Sequence, residues 1–421
     1  MLLYRNVAAV MLACALMQIS MGVLGIALPL AMSANAWSGQ AIGLVASSYG
    51  AGFLVGAWIA PSIIQAIRHI RTYAALAGLA GAATLMLALG DHMVWWMLAR
   101  FMFGAGVAGL LAVAESWIAD ATPAENRGAV VSAYQILGRA GLILGPFLIA
   151  LPGIDLTKSF VIAGLFFCLS LIPVTGTQRA QPALPEGERV SPWRLLEIAP
   201  AAAMAAFGGG AINSSIVAFG PIWANGLGDP GMAGKAALVM AAIYGASMIT
   251  QWPLGKLSDG LDRRLVIAGL AAFAGFAALV LSIFSNSGFV LGLIMIGCWG
   301  AASMAYYGIA VAHAADRSRA EELPAIASGI LMVWAIGSIT GPILAGLAFE
   351  FAHARGLFGF AGSASLLLAS IMIWRRAERR PTPKSEREPF VNLQATSAEL
   401  AEIEVPEEDY SPEAAARRME D

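Results

Sequence analysis

The chain has 421 residues, of which 58% are hydrophobic and 12% charged, with a net charge of −2 and a mean hydropathy of +0.72. A soluble domain carries about a quarter charged residues, and a chain of this length would need charge for roughly two or three such surfaces. This composition excludes an ordinary soluble enzyme or scaffold, and no stretch is basic enough for nucleic acid. Cys14, Cys168 and Cys298 lie far apart inside apolar runs. They offer neither metal-ligand spacing nor a disulfide framework, and read as small packing residues.

A membrane-spanning helix takes about 20 mostly apolar residues, because hydrocarbon tolerates only a backbone whose hydrogen bonds are all made. In chain order, such runs fall at 6–30, 41–64, 72–90, 93–119, 128–151 and 159–176. A second set follows at 199–225, 234–256, 264–284, 289–313, 324–349 and 355–374. In the first run, Arg5, the apolar stretch and Ser33-Ala34-Asn35-Ala36 imitate a cleavable signal peptide. The stretch is longer than the usual 7–15 residues or so, and an uncleaved first helix is expected. The predicted fold is therefore an all-α integral membrane protein with twelve spans in two six-helix bundles, residues 1–176 and 199–376. Between them, 177–198 holds three prolines and most of the central charges, and reads as a cytoplasmic linker. The tail, 377–421, is rich in proline and glutamate and reads as a disordered cytoplasmic extension.

Orientation follows from basic residues. With the N-terminus inside, Arg68, Arg71, Arg127, Lys256, Arg263, Arg264, Arg317 and Arg319 fall on cytoplasmic loops, and only Lys158, Lys235 and Arg355 outside. That satisfies the positive-inside rule and places both termini in the cytoplasm, with Arg375 and Arg376 closing the last helix on the same side.

The two sets of spans are related. Tyr49-Gly50-Ala51 recurs as Tyr244-Gly245-Ala246, an offset of 195 (244 − 49). Gly141-x-x-x-Gly145-Pro146 recurs as Gly337-x-x-x-Gly341-Pro342, and Ala119-Asp120 as Ala315-Asp316, both at 196 (337 − 141). Arg68 matches Arg263 at 195 (263 − 68). Six helices repeated with six give both halves the same topology, and place a binding site at their interface near the midplane.

Gly255-Lys256-Leu257-Ser258-Asp259-Gly260-Leu261-Asp262-Arg263-Arg264 is similar to the loop signature G-x-L-x-D-x-x-x-R-R of the major facilitator superfamily. Arg100-Phe101-Met102-Phe103-Gly104-Ala105-Gly106 resembles its fourth-helix motif R-x-x-x-G-x-G. Gly138, Gly141, Gly145 and Pro146 look like its fifth-helix motif associated with antiporters. The resemblance extends to about residue 376. The stretches Ala114-Glu115-Ser116-Trp117, Asn126-Arg127-Gly128 and Gln251-Trp252-Pro253-Leu254-Gly255 further resemble the YcaD-like bacterial branch, which implies no known substrate. The sequence also departs from the pattern. Ile64 stands where the first-half loop signature expects an aspartate, and the first helix has Gln18 and Ser20 where many proton-coupled exporters carry an acid.

Ionisable side chains inside a membrane are costly and therefore informative. Glu115 is the carboxylate placed within a span, a candidate for proton coupling, with structural pairing to Arg127 or a helix end as the alternative. Arg139 shares a helix face with Gln135, and that face is expected to line the cavity. Asn213, Tyr244, Tyr306 and Tyr307 are further cavity candidates, suited to flat or partly apolar solutes. Arg100, with Gly104 in its motif, is expected to be a fixed partner to backbone or polar groups. At the cytoplasmic face, Asp259, Arg263 or Arg264 and Asp316 form a candidate clasp, with Gly255 in the same loop. Arg68 or Arg71 with Asp120, and Arg127 nearby, would be its first-half counterpart; loop charges in water are the bland alternative. The glycine–proline run fits either close helix packing or a role in transport direction.

These residues point to a secondary active transporter of the bacterial cytoplasmic membrane that moves a small solute by alternating access. The proton gradient is the expected energy source, and export is favoured over uptake on the glycine–proline motif. No P-loop is present, so direct ATP use is not expected; nor is any cofactor or metal, and a monomer in the lipid bilayer is the expected assembly. An uptake symporter, an uncoupled facilitator and a non-transporting sensor or assembly subunit signalling through the tail remain alternatives. An intramembrane enzyme has little support, because no zinc motif, paired intramembrane aspartates or nucleophile–base set is present.

Overall fold

The structure is a computed structural model describing residues 2–122, 126–177, 192–227, 233–285, 288–318 and 323–378, with Pro383, Arg387 and Phe390. Of Arg127 it describes the backbone alone. Most of the proposed linker and tail, and Arg319, lie outside the described residues.

The first half comprises α1 (Leu2–Ala34), α2 (Gly39–Ile67), α3 (His69–Met86), α4 (Met93–Ala121), α5 (Arg127–Ile149) and α6 (Leu156–Thr175). Each matches an apolar run, and α1 continues through the signal-like segment as one helix packed on α5 and α6. A short helix, α7 (Pro192–Ile198), ends the linker and buries Leu195. The second half follows with α8 (Pro200–Asn225), α9 (Ala233–Gly260), α10 (Arg263–Phe284), α11 (Phe289–Ser303), α12 (Tyr306–Ala315) and α13 (Leu323–Glu378).

Among the described residues, ten helical segments are long and apolar enough to cross a membrane. The last of these, Ile326–Glu378, bends sharply at Ala352 and His353, where His353 takes φ 48°, and so makes two crossings. A Cβ at Gly356 would strike the carbonyl of Ala348, so glycine lets the two limbs turn back tightly. The 18-residue α3 adds one more crossing, completing the expected twelve.

One span differs from expectation. The run 289–313 is interrupted at Met304–Ala305, dividing it into α11 and α12. Asn213 of α8 faces the break: its Nδ2 donates to the Ser303 carbonyl at 3.4 Å, and Ser303 Oγ donates to Asn213 Oδ1. A backbone group freed by a broken helix must find another partner in a membrane, and Asn213 supplies it.

Small residues set the closest helix crossings. A Cβ at Gly141 would lie 2.7 Å from the Ala15 carbonyl, and one at Gly145 would collide with that of Ile19, so the fifth-helix motif seats α5 against α1. Gly337 and Gly341 meet Phe207 and Ala211 of α8 in the same way, so the repeat in sequence is a repeat in packing. Gly138 is looser, with ordinary contact to Gln18, and Pro146 lies within α5. Gly104 of α4 lies against the Tyr49 carbonyl of α2.

The halves meet where α2 packs on α13, α5 on α9 and α1 on α8. Along α2 and α13 the tight contacts join Gly39, Gly43 and Gly50 to Gly346, Pro342 and Ser338. The Gly39 amide donates to the Glu350 carboxylate there, and Ser47 Oγ to the Ile339 carbonyl at 2.6 Å. These positions belong to the part of each helix remote from the basic loops.

Candidate functional site

Between the halves lies a cavity of about 250 Å³, walled by α1, α2, α4 and α5 on one side and by α8, α9, α13 and the α11–α12 break on the other. Its walls are largely apolar, with polar groups at a few points. Arg139 projects from α5 and is buried, with 8% of its surface exposed. Its Nη2 donates to Gln251 Oε1 of α9 at 3.5 Å, and its guanidinium lies 5.7 Å from the Tyr244 ring centre. Arg139 therefore reaches across the interface between the halves. Arg100 on α4 lies over the rings of Tyr49 and Phe103, at 4.7 and 5.2 Å. Tyr49 and Tyr244, equivalent positions of the repeat, thus face the same cavity from opposite halves, each beneath a guanidinium.

Of the cavity residues expected from sequence, Arg139, Asn213, Tyr244 and Tyr307 line it. Gln135 and Tyr306 do not: both are buried in helix contacts, Tyr306 beside Gly209 of α8. Tyr306 and Tyr307 are successive helix residues that point about 100° apart, and Tyr307 is the one on the cavity wall. Arg100 was expected to be a fixed structural partner, but it forms part of the cavity wall. One of its ring contacts is Phe103 of the same stretch, and the other is Tyr49 on another helix, which the motif does not encode. Gln18, Met304, Trp334 and Ser338 also line the cavity. Gln18 was legible as a polar residue in mid-helix, while Trp334 and Ser338 had no signal beyond lying on a glycine-rich helix.

Glu115 is fully buried on α4 but is not part of the cavity wall. Tyr134 OH of α5 donates to its Oε1 at 3.4 Å, and Cys14 of α1 lies beside the pair. The alternative partner, the Arg127 side chain, lies outside the described residues.

At the basic end, Arg263 grips Asp316 with Nε–Oδ2 2.8 Å and Nη2–Oδ1 3.1 Å, and the two side chains are 1% and 2% exposed. Its Nη1 reaches Asp259 Oδ1 at 3.3 Å and Ser258 Oγ at 3.0 Å. Arg264 takes a different partner. It donates to Asp262 at 2.9 and 3.0 Å, and its Nη1 donates to the Arg375 carbonyl at the end of α13 at 2.9 Å. Burial pushes the Asp262 carboxyl up, but the hydrogen bonds from the Arg264 side chain and backbone outweigh it and hold the group below its ordinary value. The clasp joins α9, α10, α12 and α13, all within the second half.

Among the described residues the first half has no such clasp. Arg68, Arg71 and Asp120 are exposed, and among the described residues no ion pair joins them. The buried His69 occupies the equivalent place, with Nε2 3.1 Å from Ser116 Oγ and its ring edge-on to Trp117. Ile64 stands where the second half has Asp259, and Asp120, the counterpart of Asp316, is exposed. Gly255 has a use that the motif alone did not disclose: a Cβ there would collide with the Phe390 ring, so glycine leaves the seat for this tail residue. Arg387 Nη1 donates to the Leu261 and Asp259 carbonyls at 2.7 and 3.2 Å. Among the described residues no three His, Cys, Asp or Glu side chains converge as metal ligands would.

The family model for the Major Facilitator Superfamily matches residues 10–317 and 236–405. An MFS-type transporter of Yersinia pseudotuberculosis serotype O:3 (strain YPIII) is 27% identical over 375 residues, covering 87% of this chain and 95% of the relative. The MFS-type transporter YcaD of Escherichia coli O139:H28 is 26% identical over 377 residues, with the same coverage. Among solved structures, a bacterial homologue of the human lysosomal transporter Spinster superposes with a TM-score of 0.74 at 15% identity, over 92% of this chain and 98% of that one. The nucleoside transporter NupG gives 0.69 at 15% identity, over 88% and 98%.

Proposed function

The chain belongs to the Major Facilitator Superfamily and is a membrane transporter by family, and we propose that it is a secondary active transporter moving a small solute through the central cavity. The observation that carries this reading is the cavity itself. It lies at the interface of two related halves, with a helix broken beside it, where an alternating-access protein holds its solute. Flux is the test. Proteoliposomes holding the purified protein and loaded with a bacterial metabolite extract should lose one class of solute faster than protein-free vesicles. Equal losses of every solute would overturn the reading.

The proposed orientation puts the basic end in the cytoplasm of a bacterium, with both termini there and the chain working as a monomer. The close contacts of α2 with α13 lie on the opposite side, which supports an inward-facing state of the rocking cycle. Export driven by the proton gradient is the proposed direction, with Glu115 as proton carrier: it is a fully buried carboxylate hydrogen-bonded to Tyr134, one helix away from Arg139 on α5. Gradient-driven flux that survives Glu115→Gln unchanged would remove the coupling proposal and leave the transporter reading intact.

A second reading has one observation in its favour. Arg387 and Phe390 sit on the loop signature, as they would if the tail sensed or signalled the state of the second half. A chain ending at residue 376 should retain flux if the tail is accessory, and lose its output if signalling is the function.

A further inference from the structure

Among the described residues, every charged side chain facing the central cavity is a cation. Among the described lining residues these are Arg100 and Arg139, both supplied by the first half, and no carboxylate joins them. Their partners are neutral: two aromatic rings for Arg100, and for Arg139 one ring and the amide of Gln251 at 3.5 Å. The Nε of each is buried and has no hydrogen-bond partner among the described residues. The same protein handles its architectural arginines differently. Arg263 and Arg264, more deeply buried still, are matched with Asp316, Asp259 and Asp262. Glu115, the buried acid of α4, is not part of the cavity wall and is held by Tyr134.

A cation in a low-dielectric site without a counter-charge is expensive, and is retained where a ligand completes it. A guanidinium with a free N–H edge presents a fork that matches a planar carboxylate or another oxyanion. The rings of Tyr49 and Phe103 hold the Arg100 guanidinium on the cavity wall. The rest of the wall, including Met21, Leu24, Phe103 and Trp334, suits an apolar or aromatic body. We infer that the cavity takes an organic anion, a solute with an aromatic or apolar body and an oxyanion group held between Arg100 and Arg139. The inference rests on the transporter reading for the identification of this cavity as the solute site. It also gives the solute a mechanical consequence. An oxyanion on Arg139 competes with Gln251 for the same N–H groups, so binding loosens a contact that joins the halves.

The test uses three probes of one shape and different charge, 1-naphthoate, 1-naphthamide and 1-naphthylmethylammonium. Each is titrated calorimetrically into the purified full-length protein in detergent, with protein-free micelles as the blank. Naphthoate should bind saturably at one site and at least tenfold more tightly than the amide, and the ammonium should not bind. Arg139→Gln and Arg100→Gln should each weaken naphthoate by tenfold or more. Arg139→Lys should recover most of the loss, and the surface variant Lys158→Gln should match wild type. Absence of naphthoate binding, or amide or ammonium binding as tight as naphthoate, overturns the inference on the unmodified protein, without appeal to variants. Because the measurement needs no flux, it separates from the transporter reading. A protein that binds naphthoate but moves nothing would sink only the latter, and one that transports a cation would sink only the anion.

Discussion

Asp316→Asn offers the sharpest probe of the loop signature. Asp316 and Arg263 are 2% and 1% exposed and make a two-point contact, so removing one charge strands the other in a dry site. Breaking a buried pair costs about 3–5 kcal/mol, against roughly 0–1 kcal/mol for a pair in water. Asp259, 34% exposed and 3.3 Å from Arg263, remains as a partial counter-charge, which places the expected loss near the lower figure, about 3 kcal/mol. Asp259→Asn, at the wetter end, should cost about 1 kcal/mol or less. The assay is reversible unfolding in mixed micelles of increasing SDS content. A double-mutant cycle with Arg263→Met should give a coupling of about 2 kcal/mol or more between 263 and 316. Equal, small losses for Asp316→Asn and Asp259→Asn would show that these charges stand in water, and would refute the argument. Because the pair lies within one half, the variant should change stability more than the balance between transport states.

Three other perturbations have defined outcomes. Gly43→Leu places a side chain where a Cβ already collides with the Pro342 carbonyl, so the halves should fail to close on that side. The expected result is loss of flux with a folded protein, read by transport and size-exclusion chromatography together; wild-type flux would refute the closure. Asn213→Leu removes the partner of the Ser303 carbonyl at the broken helix. An unsatisfied buried carbonyl costs about 1–3 kcal/mol, seen as a lower melting temperature that Asn213→Gln should not fully restore. Asp262→Asn should destabilise the protein most near neutral pH. The carboxyl is held below its ordinary value, so its contribution is full above the unfolded value and disappears as pH falls through the folded one. The melting-temperature gap to wild type should therefore close in acid, and a gap independent of pH would show that the charge is not what matters.

Much of this molecule was legible from one-dimensional information. Twelve spans, their repeat and the helix-packing glycines follow from local rules: a membrane forces helices of known length, and close crossings need residues without side chains. Arg139 and Asn213 could be proposed for the cavity because a polar group within a span must face protein or water. Gln135 shares that logic with Arg139, yet it is buried away from the cavity wall. One helix period cannot tell a cavity wall from a helix contact, since both lie on the inward face.

Other features depend on which helix lies opposite which. The break at Met304–Ala305 is invisible in an apolar run, and it holds because Asn213, ninety residues earlier, supplies the missing partner. The first-half clasp is possible from spacing, but Arg68, Arg71 and Asp120 are exposed, and His69 turns inward toward Ser116. The motif marks Arg100 as a structural residue, whereas the fold sets it over Tyr49 and Phe103 on the cavity wall. Sequence by itself determined the spans and the two-fold plan, because burial in a bilayer acts on each helix separately. The tertiary structure alone decided which charges are paired, because compensation of a buried charge depends on residues brought near it by the fold.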